Sequence, residues 1–262
     1  MKKILRACCF SLPLLTVSFC TPSSPGAKDK GHTGELPSKN IQMITKNIAV
    51  LELFTSQGCS SCPPADRLVG TYTKQENVIV LSFHVDYWDR LGWKDPFSSK
   101  EYTKRQYNYA SPLNASVYTP QLVINGQTEM IGSDANKISS VLHKIFSEQP
   151  DAVLAIQNVN PQNRKLDISF NATGYTGNSI VNIALVDKKT TTAIKAGENG
   201  GITLTNYNVV RNFKTINEVN AGNNVSEIDI PGKADLKNMS VVIFLQQKET
   251  NKISAAVQVN IL

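Results

Sequence analysis

The chain has 262 residues, 41% hydrophobic and 18% charged, with a formal charge of +6. That length supports two modest cores and excludes a long array of domains. Taking Lys2, Lys3 and Arg6 from the 27 basic residues leaves 24 against 21 acidic ones. No basic run is interleaved with aromatics, so the composition argues against a nucleic-acid-binding chain.

Those three charges open the chain, followed by an apolar stretch over residues 7–19 broken by Pro13. The stretch is too short to span a bilayer and has the flanks of a signal peptide, so residues 1–19 read as an export signal. Val17-Ser18-Phe19-Cys20 resembles a bacterial lipoprotein signal with lipid attached at Cys20. Lipidation would leave Cys59 and Cys62 as one pair, because Cys8 and Cys9 lie inside the signal. Simple secretion would instead leave Cys20 as an odd thiol in an oxidising compartment. Residues 20–46 are rich in Pro, Ser, Gly and Lys and lack apolar periodicity. They read as a flexible tether, which a lipid-anchored domain needs.

Residues 47–150 alternate strand and helix. The apolar run 48–54 reads as a buried strand and leads into Cys59-Ser60-Ser61-Cys62. Residues 63–75 follow as an amphipathic helix, with Ala65, Leu68, Val69 and Tyr72 on one stripe. A second apolar strand spans 78–85. The short strands 121–124 and 127–131 flank Asn125-Gly126, a strong hairpin signal. Ile138, Val141, Leu142, Ile145 and Phe146 then mark a helix with Ser133 or Asp134 as its cap. This order predicts a parallel-core sheet with an antiparallel hairpin and helices on both faces. From residue 151 to 262 short strand-like runs recur without helical periodicity, at 153–159, 166–172, 180–186, 225–230, 241–247 and 253–262. They predict an all-β, sandwich-like second domain.

The chemistry gathers in the first domain. A C-x-x-C pair at a strand-to-helix junction points to a redox site of thioredoxin type. The helix N-terminus favours thiolate over thiol, and the spacing brings the sulfurs within disulfide reach. Half of a zinc site has the same spacing, but the chain has no second C-x-x-C and no H-x-x-x-H. Pro120 directly precedes a strand, where it can be cis or simply trans at a strand start. Glu52 is the lone charge of the first strand, and burial would raise its pKa toward a range useful for proton transfer to Cys62. Its alternative is an acid satisfied by a lysine or by loop backbone. His84 ends the second strand, on the sheet edge where sites collect. It could relay protons, charge the thiolate, ligate a metal, or simply be hydrogen-bonded within a loop. Nine of the 19 aromatic residues fall between Phe83 and Tyr118. Trp88 and Trp93 among them could roof the cysteines as a substrate groove, or pack as a satellite core.

Residues 52–66 (Glu-Leu-Phe-Thr-Ser-Gln-Gly-Cys-Ser-Ser-Cys-Pro-Pro-Ala-Asp), with His84-Val85-Asp86-Tyr87-Trp88-Asp89 and Tyr118-Thr119-Pro120-Gln121, resemble a secreted bacterial thioredoxin-like family, domain-of-unknown-function family 1223. Leu91-Gly92-Trp93-Lys94-Asp95-Pro96-Phe97, Gly197-Glu198-Asn199-Gly200-Gly201 and Asn208-Val209-Val210-Arg211 resemble its further blocks. The resemblance covers residues 47–262 and implies a thioredoxin-like domain followed by a β-rich one. It also implies a cis Pro120 facing the cysteine pair, with Thr119 offering backbone groups to an extended substrate. No substrate comes with it. Ser60-Ser61 replaces the Gly-Pro of better-known thioredoxins, which leaves the direction of electron flow open.

The leading expectation is an envelope thiol-disulfide oxidoreductase. Cys59 and Cys62 would exchange with a protein or small thiol or disulfide, assisted by Glu52 and His84. Thr119, Pro120, Trp88 and Trp93 would bind the substrate. No cofactor or resident metal is expected. The alternatives are a non-catalytic envelope binding protein with a structural disulfide, and a Cu(I)-handling protein using Cys59, Cys62 and His84.

Overall fold

Strand β1 (Ala49–Thr55) is buried at every position, Glu52 and Thr55 included, as a largely apolar strand at the centre of a sheet is. The computed structural model describes residues 47–175 and 177–262. The expected signal peptide, the 20–46 tether and Cys20 lie outside the described residues. After β1 come helix α1 (Pro63–Tyr72), strand β2 (Val78–His84), a 3-10 segment (Asp86–Leu91) and helix α2 (Lys100–Ala110). Strands β3 (Gln121–Ile124) and β4 (Thr128–Ile131) form the Asn125-Gly126 hairpin, and helix α3 (Ala135–Ser147) follows. Asp134 caps α3 by accepting from the Lys137 amide at 3.0 Å. The remaining strands are β5 (Val153–Gln162), β6 (Lys165–Thr173), β7 (Ser179–Ala193), β8 (Thr203–Ile216), β9 (Gly222–Asp229), β10 (Met239–Gln247) and β11 (Ile253–Asn260).

The architecture is mixed α/β, with one large mixed sheet and a second, antiparallel sheet. The large sheet has eight strands in the order β11-β10-β7-β8-β2-β1-β3-β4, and the small one is β5-β6-β9. β1 runs parallel to β2 and antiparallel to β3. The expected division at residue 150 does not separate two sheets. β8 lies beside β2 in parallel, with Ser82 opposite Val209, and so joins the two halves of the chain. The β-rich half therefore supplies four strands to the sheet that carries the cysteine loop. Only β5, β6 and β9 form a separate layer.

Alternation along the strands sorts the core. On β10, Val241, Ile243 and Leu245 face the small sheet, together with Leu166, Ile168 and Phe170 of β6. Val242 and Phe244 face the other way and join Val50, Phe54, Phe83 and the α2 residues Tyr102 and Tyr109. Ala49, Leu51 and Leu53 of β1 pack against α1 and α3 through Ala65, Val69, Ile138 and Leu142. Helices therefore cover both faces: α2 lies on one, α1 and α3 on the other. Among the described residues no helix is long and apolar enough to cross a membrane.

The tip of the β3–β4 hairpin is pressed against the β10–β11 turn. Gly126 has φ +67°, and a Cβ placed there would lie 1.9 Å from the Asn251 carbonyl oxygen. Gly126→Ala combines a left-handed backbone penalty with a backbone overlap. It is expected to lower unfolding free energy by about 3 kcal/mol, read as a fall in the urea midpoint. An unchanged midpoint would show that this contact between the two halves is slack.

Candidate functional site

The cysteines sit where β1 ends and α1 begins. Cys62 is the N-cap residue of α1, and its amide donates to the Cys59 carbonyl at 3.3 Å. The two cysteines form a disulfide with their Cα atoms 5.5 Å apart. Pro63 and Pro64 open the helix at positions whose amides would have no intrahelical partner. The positive end of α1 thus meets the disulfide.

Facing it is the Thr119–Pro120 peptide, which is cis. The Thr119 hydroxyl donates to Cys59 Sγ at 3.3 Å and accepts from the Trp88 indole N–H at 2.8 Å. A chain of donors therefore ends on the Cys59 sulfur, an arrangement that favours a thiolate there. Ser61 Oγ donates to the Thr119 carbonyl at 3.5 Å. Trp93 donates from its indole nitrogen to Gln57 Oε1 at 3.3 Å. Both tryptophans are half-buried and border the cysteine loop, and Trp88 also packs against the core that holds Phe83, Tyr102 and Tyr109 of the same aromatic stretch.

The β-rich half reaches into this site, which the sequence did not lead us to expect. β7 and β8 form a long hairpin whose pairing runs out to Ala193 and Thr203. Its tip carries Asn199, which donates from Nδ2 to the carbonyls of Gln57 and Cys59, each at 2.9 Å. Glu198 accepts from the Ser60 amide at 3.1 Å, and the Ser60 side chain together with that amide holds its carboxyl below the usual range. Gly197, at φ +73°, lets the tip close on Trp93, because a Cβ there would lie 3.1 Å from Trp93 Cβ. Under this cover Cys59 and Cys62 are each 0% exposed.

Beneath the disulfide is a buried polar cluster. His84 donates from Nδ1 to Asp95 Oδ2 at 2.7 Å, and both residues are buried. Asp95 also accepts from the amides of Gln57 and Phe97, at 2.8 and 2.9 Å. Burial alone would lower the imidazole's pKa, but Asp95 in direct contact, with Asp66 nearby, holds it above its ordinary value. Burial likewise works against the Asp95 carboxylate, and contact with His84 outweighs it, so the Asp95 pKa is depressed. Asp66, in the first turn of α1, accepts from the Thr55 hydroxyl at 3.3 Å. Burial, the largest influence, pushes its pKa up to about 6, against the pull of His84, Thr55 and Asn206. Asp66 and Asp95 lie inside the family-like blocks 52–66 and 91–97, but nothing in their spacing marks them as part of the site.

Glu52 is placed differently from expectation. It faces α2, on the opposite side of β1 from the residues that pack against α1. There it accepts from Arg105 Nε at 2.5 Å and Nη2 at 3.0 Å, and from the Tyr109 hydroxyl at 2.5 Å. The carboxylate is thus committed to an ion pair, and a role in moving the Cys62 proton does not fit its surroundings. His84 does lie in the cluster under the cysteine loop, but Asp95 occupies its Nδ1. Among the described residues no group of three or more His, Cys, Asp or Glu is placed to hold a metal ion.

A protein from Agrobacterium tumefaciens has a similar solved structure, with a TM-score of 0.64 at 28% identity over 84% of this chain and 97% of that one. HBP35 of Porphyromonas gingivalis shares the fold at a TM-score of 0.59 and 15% identity, over 84% of this chain and 76% of its own. No curated protein matches the chain. Residues 50–246 match the family described as a protein of unknown function, DUF1223, and with three quarters of its length inside that match the chain belongs to this family.

Proposed function

We propose that the protein is an exported, thioredoxin-like thiol-disulfide oxidoreductase working on a protein or small thiol or disulfide. The observation that carries this reading is the Thr119 hydroxyl 3.3 Å from Cys59 Sγ, at a disulfide that sits on a helix N-terminus. In the reductive half of the cycle, Cys59 and Cys62 begin as dithiol and a partner begins as disulfide. The Cys59 thiolate attacks the partner's disulfide, a mixed disulfide forms, and one partner sulfur leaves with a proton. Cys62 then attacks Cys59 Sγ, which closes the Cys59–Cys62 bond and releases the partner's second thiol. Sulfur exchange of this kind needs no cofactor. The backbone around Thr119 would hold the partner's chain in an extended register. Attachment to a membrane through lipid at Cys20 belongs to the same proposal, as does residence in the envelope.

A second reading has its own support. Both cysteines are 0% exposed, as a structural disulfide in a non-catalytic binding protein would be. The reduction potential separates the two. Equilibration against glutathione buffers, followed by alkylation and mass spectrometry, is expected to give a value between about −120 and −270 mV, the span of catalytic dithiols. A value below about −300 mV would establish a structural bridge. Cys59→Ala is expected to abolish exchange, and Cys62→Ser to accumulate a covalent partner in cells.

A further inference from the structure

The cluster under the disulfide contains two groups that sulfur exchange, as described, does not use. Asp66 follows Cys62 by four residues, and its amide donates to the Cys62 carbonyl at 3.1 Å. Helical residues four apart have Cβ atoms about 5–6 Å from each other. Helical side chains also lean toward the N-terminus. The Asp66 carboxyl therefore lies over the turn that holds Cys62. Its Oδ2 accepts from Thr55, while its Oδ1 is buried with no hydrogen-bond partner. His84 is in the same condition, with Nδ1 on Asp95 and Nε2 buried and unpartnered. The two residues lie close enough to bias each other's titration. A buried polar atom without a partner costs about 1–3 kcal/mol, and native proteins keep few. Two of them under one cysteine loop call for a reason.

We propose that Asp66, positioned by His84 and Asp95, holds the proton that Cys62 gives up and takes back as the disulfide closes and opens. This rests on the oxidoreductase reading and assigns its proton carrier. When a dithiol such as dithiothreitol opens the disulfide, its thiolate bonds to Cys59 Sγ and the Cys59–Cys62 bond breaks. Cys62 leaves with the bonding electron pair and takes the proton from the Asp66 carboxylic acid. The reagent's second thiolate then closes a ring disulfide and releases Cys59. The reagent is oxidised by two electrons, the protein disulfide is reduced by two, and Asp66 regains a proton from solvent. In the closing direction Asp66 carboxylate accepts the Cys62 proton. His84, paired with Asp95 and with its pKa raised, supports the carboxylate from below whenever it carries its proton. The groups facing Asp66 are Thr55 on β1, His84 on β2, Asp95 in the loop before α2, and Asn206 on β8. Arg211 on β8 acts on His84. Burial places the Asp66 acid near neutrality, where one group can serve as both donor and acceptor.

The test combines carbon-13 NMR of the aspartate carboxyls with the rate of opening by dithiothreitol, from roughly pH 4 to 8. Asp66 is expected to titrate near pH 6 in the oxidised protein and at a different pH once the pair is reduced. Asp66→Asn is expected to slow opening at least tenfold and to erase the inflection near pH 6. Thr55→Val removes a bond that favours the charged carboxyl, so it should move the inflection to higher pH. An Asp66 titration indifferent to the oxidation state overturns the proposal. Active exchange with the same pH profile in Asp66→Asn also overturns it and leaves the oxidoreductase reading standing. A folded wild-type protein whose disulfide is inert to dithiothreitol overturns both.

Discussion

Glu52→Leu is expected to lower the unfolding free energy by about 3–5 kcal/mol, because it leaves Arg105 buried without its counter-charge. The Glu52 carboxylate is 0% exposed and receives both a forked guanidinium and the Tyr109 hydroxyl. Around Arg105 stand the rings of Phe83, Tyr109, Phe213 and Phe244, with centroids 4.8 to 5.5 Å from the guanidinium carbon. Gln246 on β10 accepts from Arg105 at 3.3 Å and donates to Tyr109 at 2.9 Å. The network therefore ties β1 and α2 to β8 and β10, across the two halves of the chain. Without the carboxylate, Arg105 keeps only the neutral acceptors Tyr109 and Gln246 and a small opening to solvent, which compensate a mostly buried charge poorly. The double variant Glu52→Leu/Arg105→Met is expected to recover most of the loss, since a buried pair replaced as a unit is often nearly neutral. Urea unfolding of the two single variants and the double variant measures the coupling. Additive losses would show that the pair is not a unit. Exchange at Cys59 should be unchanged in whatever fraction stays folded, which separates an architectural Glu52 from the proton carrier that its place in the sequence suggested.

The parts of the fold that could be read from sequence share a physical property: their side-chain pattern matches their surroundings. β1, β2 and β10 are mostly apolar along their length because both of their faces are covered. Asn125-Gly126 marks its hairpin because the backbone there needs positive φ. β8 escaped notice because two asparagines interrupt its buried apolar positions, Leu204, Val209 and Val210. Asn206 and Asn208 are buried, where Asn208 donates to the Val80 carbonyl at 3.0 Å and Asn206 accepts from Gln57. Without β8 the halves look like separate domains, and the hairpin tip that covers Cys59 has no visible reason to be near it. Helix α1 misled in the same way. Its apolar stripe suggests Ala65, Leu68, Val69 and Tyr72 as the buried set, yet Asp66 and Gly70 are buried while Leu68 and Tyr72 are half-exposed. The stripe is turned because β8 lies against a second side of the helix, with the Tyr207 ring seated on Gly70. An acid in the first turn of a helix ordinarily reads as a solvated partner of the dipole. Here the same residue is interior, and only the tertiary contact reveals it. Cys59 and Cys62 could be placed from sequence because their spacing alone brings them together, whereas the family resemblance places Thr119 and Pro120 opposite them.

Asp66→Asn is expected to make the protein more stable at pH 7, by about 3 kcal/mol. In the folded state the Asp66 pKa is raised from 3.8 to about 6, chiefly by burial. The folded protein therefore binds this proton more tightly than the unfolded chain does. Below about pH 4 both states are protonated and the group contributes its full share of stability. As pH rises through 6 that share is lost, because the folded state must hold a buried carboxylate. The asparagine variant carries no such ionisation. Its advantage over wild type should be near zero at pH 4, grow between about pH 4 and 6, and level off above. His84, whose folded pKa is also raised, adds stability at low pH that fades in the same direction. The depressed pKa of Asp95 works the opposite way, its contribution being lost only as pH falls below its ordinary range. Both neighbours are present in wild type and variant, but the Asp66 charge is part of what raises the His84 pKa, so the difference between the two unfolding curves reports Asp66 together with its coupling to His84. A variant less stable than wild type at every pH would mean that the site requires the charged carboxylate for structure. A gain confined to neutral pH, bought with slower exchange at Cys62, would mark Asp66 as a residue the fold keeps despite its cost.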